Sequence, residues 1–175
     1  MKATGIVRRI DDLGRVVIPK EIRRTMRIRE GTPLEIYTGV GGEVIFKKYS
    51  PVGELSAFAE DYAEALAKSS ELTAVICDED TVIAAAGTHK KGLLGKEVSE
   101  GVRKIIKERT RYGGGGDIVV VDSSGIVVAA AYPILSHGDT GGAVMLVSDK
   151  PVRAGEADLK LVQAASEFLG RQLEE

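Results

Sequence analysis

The sequence predicts an α+β protein in two parts: a small basic head of short strands, and an acidic body in which helices lie on the faces of an antiparallel sheet. Three observations predict it. First, charge is split along the chain. Residues 1–53 hold 11 Lys+Arg against 6 Asp+Glu, and residues 54–175 hold 13 against 20, so a net charge of −2 over 175 residues conceals +5 and −7. Second, short apolar runs broken by Gly and Pro fill the first fifty positions, whereas from Leu55 apolar residues recur at helical spacing. Third, the body reads helix, two strands, helix, three strands, helix, an order suited to a sheet covered by helices. The domains are expected at 1–53 and 54–175, with Ser50-Pro51-Val52-Gly53 as a short hinge.

In the head, residues 5–10 and 15–18 read as two short strands joined by a turn at Asp11–Gly14. Asp11 and Asp12 are turn formers, since Asp commonly bonds its own backbone there. Pro19 opens a short helix, where its missing N–H costs little. That helix is expected to run to about Arg27. At about 100° per residue, Ile22 and Met26 share one face and Lys20, Arg23, Arg24 and Arg27 the other. Gly31 and Pro33 break the chain before a strand at Leu34–Thr38. Gly39-Val40-Gly41-Gly42 makes the hairpin turn and Glu43–Tyr49 the return strand.

In the body, Leu55, Phe58, Ala59, Tyr62 and Leu66 mark the first helix. Leu72–Asp78 and Thr81–Ala86 read as a hairpin turning at Asp78-Glu79-Asp80. Residues 87–96 form a Gly/Lys-rich loop. The next helix has Ser99 as its cap and Val102, Ile105 and Ile106 inward. Tyr112–Gly116 is a glycine loop, read as a flexible connection, with closeness to a ligand pocket as the alternative. Asp117–Val121, Ile126–Tyr132 and Gly141–Ser148 are strands. A last helix spans roughly Gly155–Leu173, with Leu161, Val162, Ala165, Phe168, Leu169 and Leu173 apolar. The first and last body helices are Ala-rich with broad apolar faces, which suits pairing with the same helices of another subunit, with covering their own sheet as the alternative.

Composition narrows the function. With one cysteine, no internal disulfide framework is available and a reducing cytoplasm is expected. Met1-Lys2-Ala3-Thr4-Gly5 lacks the apolar core of a signal peptide. The longest apolar runs, such as Ile126–Ala131, are too short to span a bilayer, so no membrane partner is expected. His89 and His137 lie in different loops, with no cluster at ligand spacing, so neither a metal nor a cofactor is expected. Gly113–Gly116 is followed by Asp117-Ile118 and lacks the Lys-Ser/Thr of a phosphate loop. Cys77, alone in an apolar strand, reads as a small buried hydrophobe. No nucleophile–base pair stands out, so no catalytic residues are assigned and the chain is not expected to be an enzyme. The basic head calls for a polyanion.

Gly5-Ile6-Val7-Arg8, Leu13-Gly14-Arg15-Val16-Val17-Ile18-Pro19 and Arg23-Arg24 resemble the DNA-binding half of the AbrB-type transition-state regulators, the swapped-hairpin fold. The resemblance implies a head that interleaves with a second copy into a dimeric β-barrel. That agrees with its size, because about 50 residues without disulfide or metal are marginal alone. It also implies contact with double-stranded DNA through Arg8, Arg15, Arg23 and Arg24, with Arg9 and Lys20 as weaker additions. Arginine suits both phosphate and guanine edges because its planar fork donates paired hydrogen bonds. From Glu54 on, element order and the pattern Ile118-Val119-Val120-Val121-Asp122-Ser123-Ser124-Gly125-Ile126-Val127 resemble a GAF-type sensor domain. The combination is similar to a family of transcription regulators of the developing spore. It implies an activator and repressor of forespore genes, cytoplasmic and nucleoid-associated, with an unidentified small-molecule effector for the body. Two dimerising parts joining different pairs imply a homotetramer. Two alternatives stay open: a GAF-like small-molecule-binding protein whose head mainly oligomerises, and a swapped-hairpin antitoxin.

Overall fold

Residues 4–174 are described by a computed structural model, apart from the side chain of Glu54; residues 1–3, read above as free of a signal peptide, lie outside the described residues. The chain forms two units, one ending at Tyr49 and the other beginning at Ser50. No helix among the described residues is long and apolar enough to cross a membrane.

The first unit has one short helix, α1 (Lys20–Thr25), and one hairpin of β1 (Leu34–Gly39) and β2 (Glu43–Lys48). The antiparallel register sets Ile36 opposite Phe46 and Thr38 opposite Val44, on one face of the ribbon. Helix α1 starts behind Pro19, as expected, but is shorter than its apolar spacing suggests. Met26 caps it and Arg27 turns left-handed at φ 52°. The amide of Ile28 reaches the carbonyl of Arg23 and that of Arg27 reaches Arg24, closing the end in a Schellman arrangement. Arg27 is therefore past the helix and not on its basic face. The expected strands 5–10 and 15–18 are not formed as strands in the single chain; only the turn between them is closed, by Asp11 N donating to Arg15 O at 3.1 Å. A strand needs a neighbour for its backbone groups, and the described part of this unit provides none for these two runs. No residue described in this unit is fully buried.

The second unit begins with α2 (Pro51–Glu54) where a hinge was expected. The Ser50 hydroxyl caps this single turn, and Val52 is fully buried beneath it. Helix α3 (Ser56–Ser69) follows, then β3 (Thr73–Cys77) and β4 (Val82–Ala86) as a hairpin. The Gly/Lys-rich loop contains a turn of helix, α4 (Lys90–Leu93), because Leu93 is drawn fully into the core. Behind it, Gly95 and Lys96 bond to Val82 and cover the outer edge of β4. Helix α5 (Glu100–Glu108), β5 (Val127–Ser136), β6 (Asp139–Ser148) and α6 (Glu156–Gln172) complete the unit.

The sheet order is β4-β3-β6-β5, antiparallel throughout. Alternation along β3 shows why both faces are apolar. Ala74 and Ile76 face α3 and α6, joining Ala59, Ala63, Leu66, Val162, Ala165 and Leu169. Val75 and Cys77 face α5, joining Val102, Ile105 and Ile106. Sheet and helices thus form three layers. Ser99 caps α5 as expected, accepting from Val102 N at 3.2 Å and donating to Val119 O at 2.6 Å. That bond helps explain a departure from expectation: 117–121 makes only one strand-like bridge, Val119 to Val127. Its carbonyls at Val119 and Val120 are taken by Ser99, and further along β5 the outer edge is taken by Tyr112, which exchanges two backbone bonds with Ala131.

The glycine loop is a fitted strap. At Gly114, φ is +77°, and a Cβ would lie 2.3 Å from the Val152 carbonyl and 2.5 Å from that of Ala129. Ala129 is the extra residue of a β-bulge in β5. The bulge turns Val128 toward α5 and Ala130 toward α3 and α6.

Candidate nucleic-acid interface

The site is built on the turn at Asp11–Gly14. Gly14 adopts φ +76°, and its amide donates to Asp11 O at 3.0 Å. The Asp11 side chain then does more than close a turn. Its Oδ1 accepts from Leu13 N at 3.1 Å and Arg15 N at 2.7 Å, and its Oδ2 accepts from Arg15 Nε at 2.8 Å. The bonds from Arg15, backbone first and side chain second, hold the Asp11 carboxyl below its ordinary value of 3.8. That this acid would orient one of the candidate arginines is barely marked in the sequence. An i, i+4 acid–arginine pair across a Gly turn is the only hint it offers.

Arg15 stays at the surface, its side chain 69% exposed. Arg8 and Arg9 lie on the preceding run, both exposed, with Arg8 Nη1 donating to the carbonyl of Val7 at 3.4 Å. Lys20, Arg23 and Arg24 are exposed on α1. Arg23 Nε donates to the carbonyl of Ile18 at 3.2 Å. That bond brings one helix arginine back against the run that carries Arg15. The other candidates are brought together only through chain proximity. All six cations therefore remain at the surface, and none is held by a buried acid among the described residues.

The same unit exposes apolar side chains. Val7 is 84% exposed and Val17 71%, with Ile10 and Leu13 similarly open. On the hairpin, Ile36, Val44 and Phe46 are exposed on their shared face. An apolar patch of this kind on so small a unit is the usual mark of an association surface.

Other groups named from the sequence fall outside this site. Cys77 is fully buried, and burial first of all pushes its thiol up to about 12, which leaves no thiolate for chemistry at neutral pH. His89 stands before α4 and His137 in the β5–β6 turn. Among the described residues, no three His, Cys, Asp or Glu side chains gather as metal ligands would.

The body decides the family. Residues 54–174 match the family model described as Stage V sporulation protein T C-terminal, transcription factor. Over the full length of both chains, the sequence is 49% identical to Stage V sporulation protein T of Bacillus subtilis (strain 168). The chain belongs to the stage V sporulation protein T family. Within that family frame the head has its own likeness. Residues 7–53 match the model for Antidote-toxin recognition MazE, bacterial antitoxin. A stretch of 51 residues, 29% of this chain and 52% of the other, is 59% identical to Transition state regulatory protein AbrB of Bacillus subtilis (strain 168). The body shares its fold with the GAF domain from Acinetobacter phosphoenolpyruvate-protein phosphotransferase, at TM-score 0.56 and 10% identity, over 68% of this chain and 81% of that one. An AbrB-like head followed by a GAF-like body is thus the architecture of this stage V sporulation protein T family member.

Proposed function

We propose that the chain is a DNA-binding transcription regulator of sporulation, activating and repressing forespore genes, and not an enzyme. Its place is the cytoplasm, on the nucleoid of the forespore. The observation that carries the reading is the set of surface cations Arg8, Arg15, Arg23 and Arg24, with Arg9 and Lys20 beside them, on a unit with no fully buried residue. Such a unit calls for a partner copy, and two copies present eight arginines to a duplex. The bond to Asp11 engages Arg15 through Nε; a phosphate meets the two terminal nitrogens of the same fork. Phosphate contacts set the grip, while base edges and DNA shape select the site. The functional division is drawn at 53/54, supported by the abutting limits of the two family matches.

The body is assigned two tasks, assembly and response to a small-molecule effector. Assembly is supported by α3 and α6, which lie side by side with Tyr62 stacked on Phe168 at 5.2 Å. Phe58 is 53% exposed and Phe168 39%. Pairing of these helices with another subunit, added to pairing of the heads, gives a homotetramer. The effector reading rests on the GAF-like fold, and a metabolite that raises the melting temperature of the body would identify it.

The test is DNA affinity against salt. Wild type is expected to show a steep log–log dependence, near −0.9 for each phosphate neutralised. Arg23→Ala with Arg24→Ala should weaken binding and flatten that slope. An unchanged slope would remove these residues from the site, and no binding by wild type would favour a small-molecule-binding protein whose head only oligomerises. The antitoxin reading draws on the match at 7–53. Against it stands the body, a three-layer folded unit where antitoxins of this kind carry a short disordered tail; a toxin recovered with the full chain would restore it.

A further inference from the structure

Ser50 is where the chain enters the body unit. Its hydroxyl accepts from Gly53 N at 3.1 Å, which caps α2, and donates to Asp78 Oδ2 at 2.8 Å. The other oxygen of Asp78 closes the β3–β4 turn. It accepts from Asp80 N at 2.8 Å, Thr81 N at 2.7 Å and the Thr81 hydroxyl at 3.2 Å. One carboxylate therefore ties the chain's entry and shapes the turn at once. The next two residues of the turn reach other elements. Glu79 accepts from the hydroxyl of Thr140, near the start of β6, at 3.3 Å. Asp80 lies 3.6 Å from Nε of Arg103 in α5.

Arg103 is the unusual member. Its side chain is only 16% exposed, and neither Nε nor Nη2 has a hydrogen-bond partner among the described residues. Its charge is balanced by Asp80 and, at 3.8 Å, by Glu100, which is 87% exposed and so a weak counterion. A buried guanidinium that loses its nearby acid is costly, so separation of α5 from the turn is opposed. The root of the turn is equally constrained. A Cβ at Gly142 would lie 1.9 Å from the Cys77 carbonyl and 2.9 Å from Asp78 Cα, so β6 runs hard against it. On the other side, Val52 of α2 packs on Gly141, where a Cβ would be 3.2 Å from its methyl.

We propose that the Asp78-Glu79-Asp80 turn is a coupling joint that carries a displacement of α5 to α2, and so to the segment that tethers the head. Helix α5 lies on one face of the sheet and Val52 is buried on the other. The turn at the end of β3 is hydrogen-bonded to the cap of α2 and ion-paired with α5. It converts a change on the α5 side into a looser or tighter tether.

The experiment is hydrogen exchange on the full chain, read at residues 50–55. Ser50→Ala should raise exchange at Gly53 roughly five-fold, the effect of losing one helix cap, and Ser50→Thr should restore it. The decisive variant is Arg103→Gln, since Arg103 has no bond to the described side chains of α2. It should speed exchange about three-fold or more in both 78–82 and 50–55. Glu100→Gln, which removes only the solvated acid, should leave 50–55 unchanged. Faster exchange at 78–82 with 50–55 unaltered in Arg103→Gln would overturn the joint. If Arg103→Gln instead unfolds the sheet, Asp78→Asn decides. It keeps an acceptor for the turn amides but turns a donor toward Ser50, so 50–55 should loosen alone; an unchanged 50–55 overturns the joint. A second arm rests on the DNA-binding reading above: Ser50→Ala should relax the preference for the spacing between half-sites. The exchange arm needs no DNA, so failure of that reading is told apart from failure of the joint.

Discussion

At the scale of single residues, the head is governed by Asp11. A surface carboxylate that collects two amides and a guanidinium is a stronger organiser than a turn former that merely starts a bend. The sign of its pH dependence follows from its lowered midpoint. In the unfolded chain Asp11 titrates near 3.8, and in the folded head it titrates lower. The pairing with Arg15 is therefore complete above 3.8 and is lost as pH falls through the lowered midpoint. A carboxyl titration followed by NMR should place that midpoint below 3.8, and Asp11→Ala should speed exchange of the Leu13 and Arg15 amides. A midpoint at or above 3.8 would mean that the bond to Arg15 is not made in solution. Arg15 itself was legible as a DNA candidate through the resemblance of Leu13-Gly14-Arg15-Val16-Val17-Ile18-Pro19 to the AbrB-type head. Its attachment to Asp11 was not, because spacing alone does not say which acid a flexible arginine will choose.

At the scale of elements, backbone approach explains what periodicity could not. The apolar run of β3 between turn residues and the helical spacing of Val102, Ile105 and Ile106 were readable, whereas which β3 side chain faces which layer was not, because all five are buried. The glycine loop was not, because glycine carries no side chain from which a pattern could be drawn. It reads as flexible until the carbonyls of Ala129 and Val152 are seen against Gly114. Gly114→Ala is expected to destabilise the body by about 2–4 kcal/mol, from backbone strain plus an unrelieved clash. Denaturant unfolding followed by circular dichroism measures it, and a loss below about 0.5 kcal/mol, the scale of an ordinary surface change, would show the loop to be loose. The hinge misreading has the same origin. Ser50-Pro51-Val52-Gly53 has loop composition, yet Pro at the first turn and Ser at the cap are also helix-starting signals, and Val52 supplies the buried anchor.

At the scale of the whole molecule, the two units meet opposite problems. The body buries apolar residues on both faces of its sheet and can stand on its own core, but it leaves Phe58 and Phe168 outside. Phe58→Ser should therefore leave the body folded and halve the assembly, from tetramer to dimer by light scattering; a tetramer that persists would move the second contact elsewhere. The head, with no fully buried residue from 4 to 49, has no interior of its own, and under the proposed pairing it would gain one from another head. Its folding would then be bimolecular, and its stability would rise with protein concentration. Newly made chains below the pairing threshold would carry a finished body and an unfinished reader, open to proteases. Gene control by such a protein would switch on abruptly with supply, because the grip on DNA is completed only in company.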